Sequence, residues 1–257
     1  GCLTPPVAPL DGEVSRDSLA EDEQHLWKQA RASAYRLDAS GLVFEDPDLE
    51  AYLQEVALRL AGDTLAEGGV TPRVRVLSNP DMNAFAFPNG VVYVHTALLA
   101  RMDNEAQLAT MLSRELVHVV QRHALMKHRS DRATGNLMAA SGLMLSGVKG
   151  GGNAKLLLQA GTFSSMAGYT HALEMSADAR GLELMDRLGY DLEEAPKLFE
   201  ATIAYLEELK AQRPPSPLPF AFSTPVHVTH RIGNYRKLLS TRFAGSVSAP
   251  GRVRNTE

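Results

Sequence analysis

The sequence predicts an α+β fold that is mostly helical, with one small β-sheet packed beside a central helix. Apolar residues recur at helical spacing over most of the chain, and short β-prone runs are confined to the stretch 73–94. Of the 257 residues, 44% are apolar. That share is enough for one or two domains with a buried core.

Two helices are predicted ahead of the β-prone stretch. Ser18 and Glu21 have the spacing of a capping box, and leucines and alanines then recur at helical spacing to about residue 37. Asp46 and Pro47 provide an N-cap and a first-turn proline for a second helix. Its buried stripe is expected to contain Leu49, Tyr52, Leu53, Val56 and Leu60.

The sheet and the remaining helices are predicted downstream. Turn signals at 79–80 and 88–90 separate β-prone runs at 74–76, 84–87 and 91–94. Asn104 can cap a long helix that extends to about residue 127. Further helices are predicted at 154–168, 171–188, 192–211 and 228–240, and the tail after Phe243 is expected to be loose.

Composition excludes several classes of function. The formal net charge is -4 and no run of lysines or arginines is present, so no nucleic-acid partner is expected. The uncharged stretch 133–148 is shorter than the roughly 20 apolar residues that span a membrane. Cys2 is the only cysteine, so the chain has no internal disulfide.

The position of Cys2 suggests a membrane anchor. It follows Gly1 and precedes the Pro-rich segment 3–14, an arrangement that resembles a bacterial lipoprotein after removal of its signal peptide. Acylation of Cys2 would anchor the protein to a membrane without spanning it, whereas the alternative is an unmodified cysteine in a tail. We expect a tether over 1–17, one domain over 18–243 and a tail over 244–257, on the periplasmic side of a bacterial cell envelope.

Ionisable residues lie on the core-facing side of the helix predicted over 104–127. Glu115 falls in the middle of the apolar arc, and Arg114 and His118 border it. Buried ionisable groups are costly without partners. A core ion pair with an incidental histidine would explain an isolated Arg-Glu-Leu-Val-His pentapeptide. The apolar arc consists of Leu108, Met111, Leu112, Leu116 and Val119.

A second predicted helix carries acids into the same core. Glu174 and Asp178 are four residues apart and share one face with apolar residues. Zinc endopeptidases need two neutral imidazoles at i and i+4, a third protein ligand and a carboxylate that acts as general base. His118 would be the second imidazole and Glu115 the base, while Glu174 would be the third ligand and Asp178 a carboxylate that orients a histidine.

Four segments, in this order, resemble the gluzincin zinc metallopeptidases that include the CAAX prenyl endopeptidases, HtpX and the BepA proteins. The resemblance runs from Val76 to Ile232 and implies a zincin-like fold, a zinc cofactor and protein or peptide substrates. It places Asn83, Ala84 and Phe85 in the substrate-binding strand, and it makes Arg231 the residue that steadies the oxyanion. The four segments are 83–90, 114–123, 174–191 and 223–232.

The chain departs from that family at three positions. Arg114 stands where the family has the first zinc-binding histidine, and His171 stands where arginine is usual. Pro225 and Val226 follow Ser-Thr where the family has His-Pro. Two imidazoles on the metal side are therefore absent.

Arg114 is expected to oppose zinc binding. An arginine is always protonated and cannot ligate a metal. At about 4 Å and an effective dielectric of 20, its charge opposes a divalent ion by roughly 8 kcal/mol. His171 or His227 could complete a rewired site; otherwise we expect Arg114 to replace the charge of the metal, within about 4 Å of Asp178 or Glu174. The remaining histidines are expected to be surface or packing residues: His25, His95, His123, His128 and His230.

Three hypotheses follow for function. The first is a lipid-anchored envelope protein with a gluzincin scaffold, impaired or absent hydrolysis, and a cleft that binds unfolded or partner proteins. The second is an active zinc endopeptidase with a rearranged ligand set. The third is a scaffold protein without a functional cleft, and the retention of segment 83–90 and of Arg231 argues against it.

Overall fold

Helices dominate the structure, as the sequence predicts. The computed structural model describes residues 7, 21–62, 70–133, 169–212, 225–247 and 251–253. Cys2, Ser18, the segment 223–224 and the predicted helix 154–168 lie outside these residues. In chain order the elements are α1 (Glu21–Asp38), α2 (Pro47–Ala61), β1 (Arg73–Leu77), β2 (Ala84–Ala86), β3 (Val91–His95), α3 (Thr96–Leu99), α4 (Glu105–Val120), α5 (His123–Ala133), α6 (His171–Arg187), α7 (Glu194–Gln212), α8 (Pro225–Ser240) and α9 (Ala244–Val247).

The start of α2 follows the predicted capping pattern. The Asp46 side chain accepts a hydrogen bond of 3.0 Å from the backbone N–H of Leu49, and Pro47 occupies the first turn. The prediction was wrong for Tyr52, which is 41% exposed. Its ring lies at the surface because its hydroxyl donates to Glu105, 2.8 Å away on α4.

The predicted sheet has three strands in the order β1-β3-β2. β3 is central, parallel to β1 and antiparallel to β2, and all of its residues are buried. Gly90 allows the turn between β2 and β3, because its φ is 90° and a Cβ there would lie 2.4 Å from the Val70 side chain.

Two apolar clusters cover the sheet. One joins strand residues to α2, α4, α6, α7 and α8, and it contains Val76, Val92 and Val94. The other is formed by α1, which packs through residues such as Ala34 and Leu37 against Phe85 and neighbouring aromatic side chains. The helix that carries the ionisable motif therefore lies inside the larger cluster.

The prediction of one long helix over 104–127 was wrong. Asn104 caps α4 as predicted, with its side chain 3.0 Å from the N–H of Gln107, but α4 ends at Val120 and α5 begins at His123. Arg122 breaks the helix because its φ is 54°, in the left-handed region. Every residue of α4 is buried, so this helix has no solvent-facing side.

The tail was expected to be loose, but its described residues pack on the domain. Residues Ala244–Val247 form α9, and Val253 pairs with Tyr190. The Arg252 guanidinium binds the Asp186 carboxylate at the end of α6, which accounts for the order of this segment. Within the ranges given above, none of the helices combines the length and apolar character that crossing a membrane requires.

Candidate active site

Close contact between α4 and α6 creates the site. Gly181 on α6 allows this close contact, because a Cβ there would lie 3.0 Å from the Ser113 hydroxyl and 3.4 Å from the backbone nitrogen of Arg114. Asp178 is 1% exposed one turn earlier on α6, and Glu115 is fully buried on α4. Acids from two helices therefore meet in the core, as the sequence predicts.

Arg114 is the centre of this cluster and is itself buried. Its Nη1 donates to Glu115 Oε1 at 2.7 Å, and its Nε donates to Asp178 Oδ1 at 3.2 Å. Its Nη2 donates to Glu174 Oε2. This confirms the prediction that Arg114 lies within 4 Å of Asp178 or Glu174, and it adds Glu115 as a third partner.

A second guanidinium reaches the same acids from α8. Arg231 binds the Glu174 carboxylate, and its Nε lies 3.2 Å from Asp178 Oδ2. The Tyr235 hydroxyl donates to Asp178 Oδ1 at 3.0 Å. Two cations and a hydroxyl thus surround two of the carboxylates, which is the condition under which charged groups are tolerated in a core.

These pairings fix the protonation of the cluster. Burial raises the pKa of Glu174, but the positive charges of Arg114 and Arg231 outweigh it and lower that pKa to about 2. Burial likewise disfavours the charge on Arg114, yet the carboxylates of Glu174, Glu115 and Asp178 raise its pKa. Glu174 and Arg114 are therefore charged at neutral pH.

His118 lies beside the cluster without joining its hydrogen bonds. Its ring is buried and stacks on Tyr169 at 4.5 Å, and its Nδ1 lies 2.8 Å from His123 Nδ1. Its Nε2 is buried without a hydrogen-bond partner in the described part of the chain, 4.0 Å from Glu174 Oε2. Burial lowers the pKa of His118 well below its usual 6.5, so the ring is neutral.

The residues at this site do not fit a zinc ion. His118 Nε2 lies 4.0 Å from Glu174 Oε2, and the Arg114 guanidinium already binds that carboxylate. Among the described residues, no three His, Cys, Asp or Glu side chains come together in a way that could hold a metal. The donor set is short of a ligand and contains a fixed cation where a ligand should be.

The other predicted site residues lie around the cluster. His171 is exposed at the start of α6, lines a cavity of about 60 Å³ beside Glu174, and pairs with the ring of His230 at 6.2 Å. The side chain of His227 lies outside the described residues. Asn83 is buried just before β2, and Ala84 and Phe85 belong to β2 at one edge of the sheet.

Three neighbours of the site were not predicted. His123 was assigned to the surface or to packing, yet it contacts His118, and the Arg122-His123 pair in the resemblance was the signal available. Tyr235 lies four residues after Arg231, so helical spacing from Arg231 could have identified it. Nothing in the sequence around Tyr169 indicates its position against His118.

Several proteases resemble this chain in sequence. The beta-barrel assembly-enhancing protease of Escherichia coli K12 is 32% identical over 171 residues, which cover 64% of this chain and 35% of that protein. The putative beta-barrel assembly-enhancing protease of Vibrio cholerae is 28% identical over 194 residues, covering 73% and 39%. The mitochondrial metalloendopeptidase OMA1 of Schizosaccharomyces pombe is 33% identical over 129 residues, covering 49% and 36%.

The chain thus corresponds to little more than a third of the length of each of these relatives. The model of Peptidase family M48 matches residues 47–241, a range that contains β1 to β3, α4, α6 and all the site residues described above. This match confirms the family that segments 83–90, 114–123, 174–191 and 223–232 indicated, and this chain belongs to peptidase family M48.

Proposed function

We propose that this chain is a peptidase-family protein whose hydrolytic activity is impaired or lost and whose cleft binds protein or peptide chains. One observation carries the proposal. The buried Arg114 guanidinium donates to Glu115, Glu174 and Asp178. By the resemblance, position 114 is that of the first metal-binding imidazole. The carboxylate that would act as general base is thereby held by a cation.

Binding of polypeptide is supported by what surrounds the cluster. The relatives are named as proteases and endopeptidases, which act on protein chains. The resemblance assigns Asn83, Ala84 and Phe85, at and just before β2, to the strand that binds substrate. Arg231 is retained, and the cavity beside it gives access to Glu174.

An active endopeptidase with a rearranged ligand set is the second candidate. His118 Nε2 favours it, because this buried atom lacks a hydrogen-bond partner among the described residues and lies 4.0 Å from Glu174 Oε2. His171 at the rim of the neighbouring cavity would have to move inward as the additional ligand. Arg114 would have to release Glu174 as well.

Zinc content and casein cleavage separate the two candidates. The protein is purified without chelator, zinc is measured per chain, and cleavage and binding of fluorescent casein are followed, with Glu115→Gln as the inactive control. We expect little zinc, no cleavage above that of Glu115→Gln, and saturable binding of unfolded casein. Near-stoichiometric zinc with cleavage that Glu115→Gln abolishes would establish the rearranged enzyme, and absence of casein binding would overturn the binding role.

The lipid anchor on Cys2 and the location in a bacterial envelope stay predictions. Cys2 lies outside the described residues. Mass spectrometry of membrane-fraction protein tests the anchor, and an unmodified thiol would remove that claim without affecting the account of the site.

A further inference from the structure

The turn between α4 and α5 has an unusual backbone. Among the described residues, Arg122 alone adopts a positive φ without being glycine. Its N–H donates to the Val119 carbonyl, and its own carbonyl accepts from Leu125 and Met126, so this one residue ends α4 and starts α5. Left-handed backbone at a side chain of this size persists only where surrounding contacts hold it.

Glu23 on α1 provides one such contact. The Arg122 Nε donates to Glu23 Oε1 at 2.8 Å, and its Nη2 binds Glu23 Oε2, so the pairing is bidentate. The Glu23 side chain is 2% exposed and that of Arg122 is 9% exposed. A buried bidentate pair fixes the orientation of both side chains more strictly than a surface pair does.

The orientation of this turn determines where His123 lies. His123 is the first residue of α5 and directly follows Arg122, and its Nδ1 lies 2.8 Å from His118 Nδ1. At that distance one ring donates its Nδ1–H to the other, which fixes the tautomer of both. The tautomer in turn determines whether His118 presents a bare nitrogen or an N–H to Glu174.

We infer that Glu23 is a positioning residue for His118 and acts through Arg122 and His123. Glu23 belongs to a helix that precedes the region matched by the family, 47–241. The inference rests on the described contacts and is independent of whether the site binds metal or hydrolyses peptides.

The chain offers a matched control on the same helix. Asp22 also binds an arginine of the α5 region, with its carboxylate 2.8 and 2.9 Å from the Nε and Nη2 of Arg129. Both side chains of that pair are 23% exposed, and Arg129 lies six residues after His123 in α5. α1 is independently held by buried residues such as Ala30 and Leu37, so loss of one ion pair should not detach it.

The test is an NMR spectrum of protein in which the ring nitrogens of histidine are isotopically labelled. The His123→Gln variant identifies the signal of the proton that lies between the Nδ1 atoms of His118 and His123. We expect Glu23→Gln to shift or abolish that signal and Asp22→Asn to leave it unchanged. In an Arg122→Gly background, where glycine adopts the positive φ freely, adding Glu23→Gln should cause no further change.

Two results would overturn the inference. One is a Glu23→Gln spectrum that coincides with that of the parent. The other is an equal effect of Glu23→Gln in the parent and in Arg122→Gly, because Glu23 would then not act through Arg122. Circular dichroism checks folding, and if Glu23→Gln alone fails to fold, the comparison of Arg122→Gly with the double variant decides.

Discussion

Position 114 determines the chemistry of this core because its side chain carries a permanent charge. A guanidinium has five N–H donors in a planar fork, and here it donates to Glu115, Glu174 and Asp178. If a neutral imidazole stood at that position, Arg231 would be the cation that remains beside Glu174 and Asp178 among the described residues. Arg114 therefore contributes positive charge at a point where three carboxylates converge.

Removal of this charge should be costly. We expect Arg114→Met to lower the free energy of unfolding by about 3 to 5 kcal/mol, because it removes a buried cation that three carboxylates share. Urea denaturation measures the loss. The matched control is Arg236→Met, which removes a pair with Glu200 whose side chains are 67% and 42% exposed and should cost about 1 kcal/mol or less. Equal costs for the two variants would contradict the counterion role of Arg114.

Glu174 should make stability depend on acid pH. Its pKa falls from 4.5 to about 2 on folding, so its contribution is fully present above pH 4.5 and is lost as pH falls towards 2. A shift of that size corresponds to about 3 kcal/mol. The difference in unfolding free energy between the parent and Glu174→Gln should therefore shrink over this window.

This comparison separates Glu174 from another acid-sensitive group. Burial lowers the pKa of His95 to about 4. As pH falls from 6.5 to 4, the unfolded chain binds a proton at His95 that the folded protein does not, so the free energy of unfolding decreases. Both proteins retain His95, so its effect cancels in the difference. A difference between parent and Glu174→Gln that stays constant from pH 5 to 2 would contradict the lowered pKa of Glu174.

At the scale of elements, local sequence signals predicted what local interactions determine. The Asp46 and Asn104 caps and the strands with their turns are confirmed, because capping and turn formation depend on neighbouring residues. The break in the helix at Arg122 was missed because no glycine or proline marks it. The contact that stabilises the break comes from Glu23, 99 residues away in sequence.

The packing of α4 on α6 should depend on Gly181. Alanine normally stabilises a helix relative to glycine by about 1 kcal/mol. At position 181 the Cβ of alanine would lie 3.0 Å from the Ser113 hydroxyl and 3.4 Å from the backbone nitrogen of Arg114. Such overpacking costs about 1 to 3 kcal/mol. We expect Gly181→Ala to have no net stabilising effect, or to destabilise the protein by about 1 kcal/mol.

Gly233 is the control for this prediction. It lies within α8, and a Cβ there would meet no atom of the described residues within 4 Å, so Gly233→Ala should stabilise the protein by about 1 kcal/mol. Thermal unfolding compares the two variants. Equal stabilisation by Gly181→Ala and Gly233→Ala would mean that α4 and α6 are not in close contact.

At the scale of the whole molecule, α4 is entirely buried in the larger apolar cluster, while α1 covers the other face of the sheet. The helical wheel placed Glu115 in the apolar arc, and the structure buries every other residue of α4 as well. His123 and Tyr169 escaped prediction because their contacts with His118 depend on how separate segments pack. The convergence of Arg114 with Glu174 and Asp178 was predictable, because residues four apart in sequence lie on the same face of a helix.

The most direct test of the account is the zinc affinity of Arg114→His compared with that of the parent, measured by competition with a chromogenic chelator. Glu115, His118, Glu174 and Asp178 already surround position 114. We therefore predict weak, substoichiometric binding of zinc by the parent and tight, near-stoichiometric binding by Arg114→His. Arg236→His, which adds a surface histidine elsewhere, controls for adventitious binding. If Arg114→His bound no more zinc than the parent, Arg114 would not occupy the place of a metal ligand.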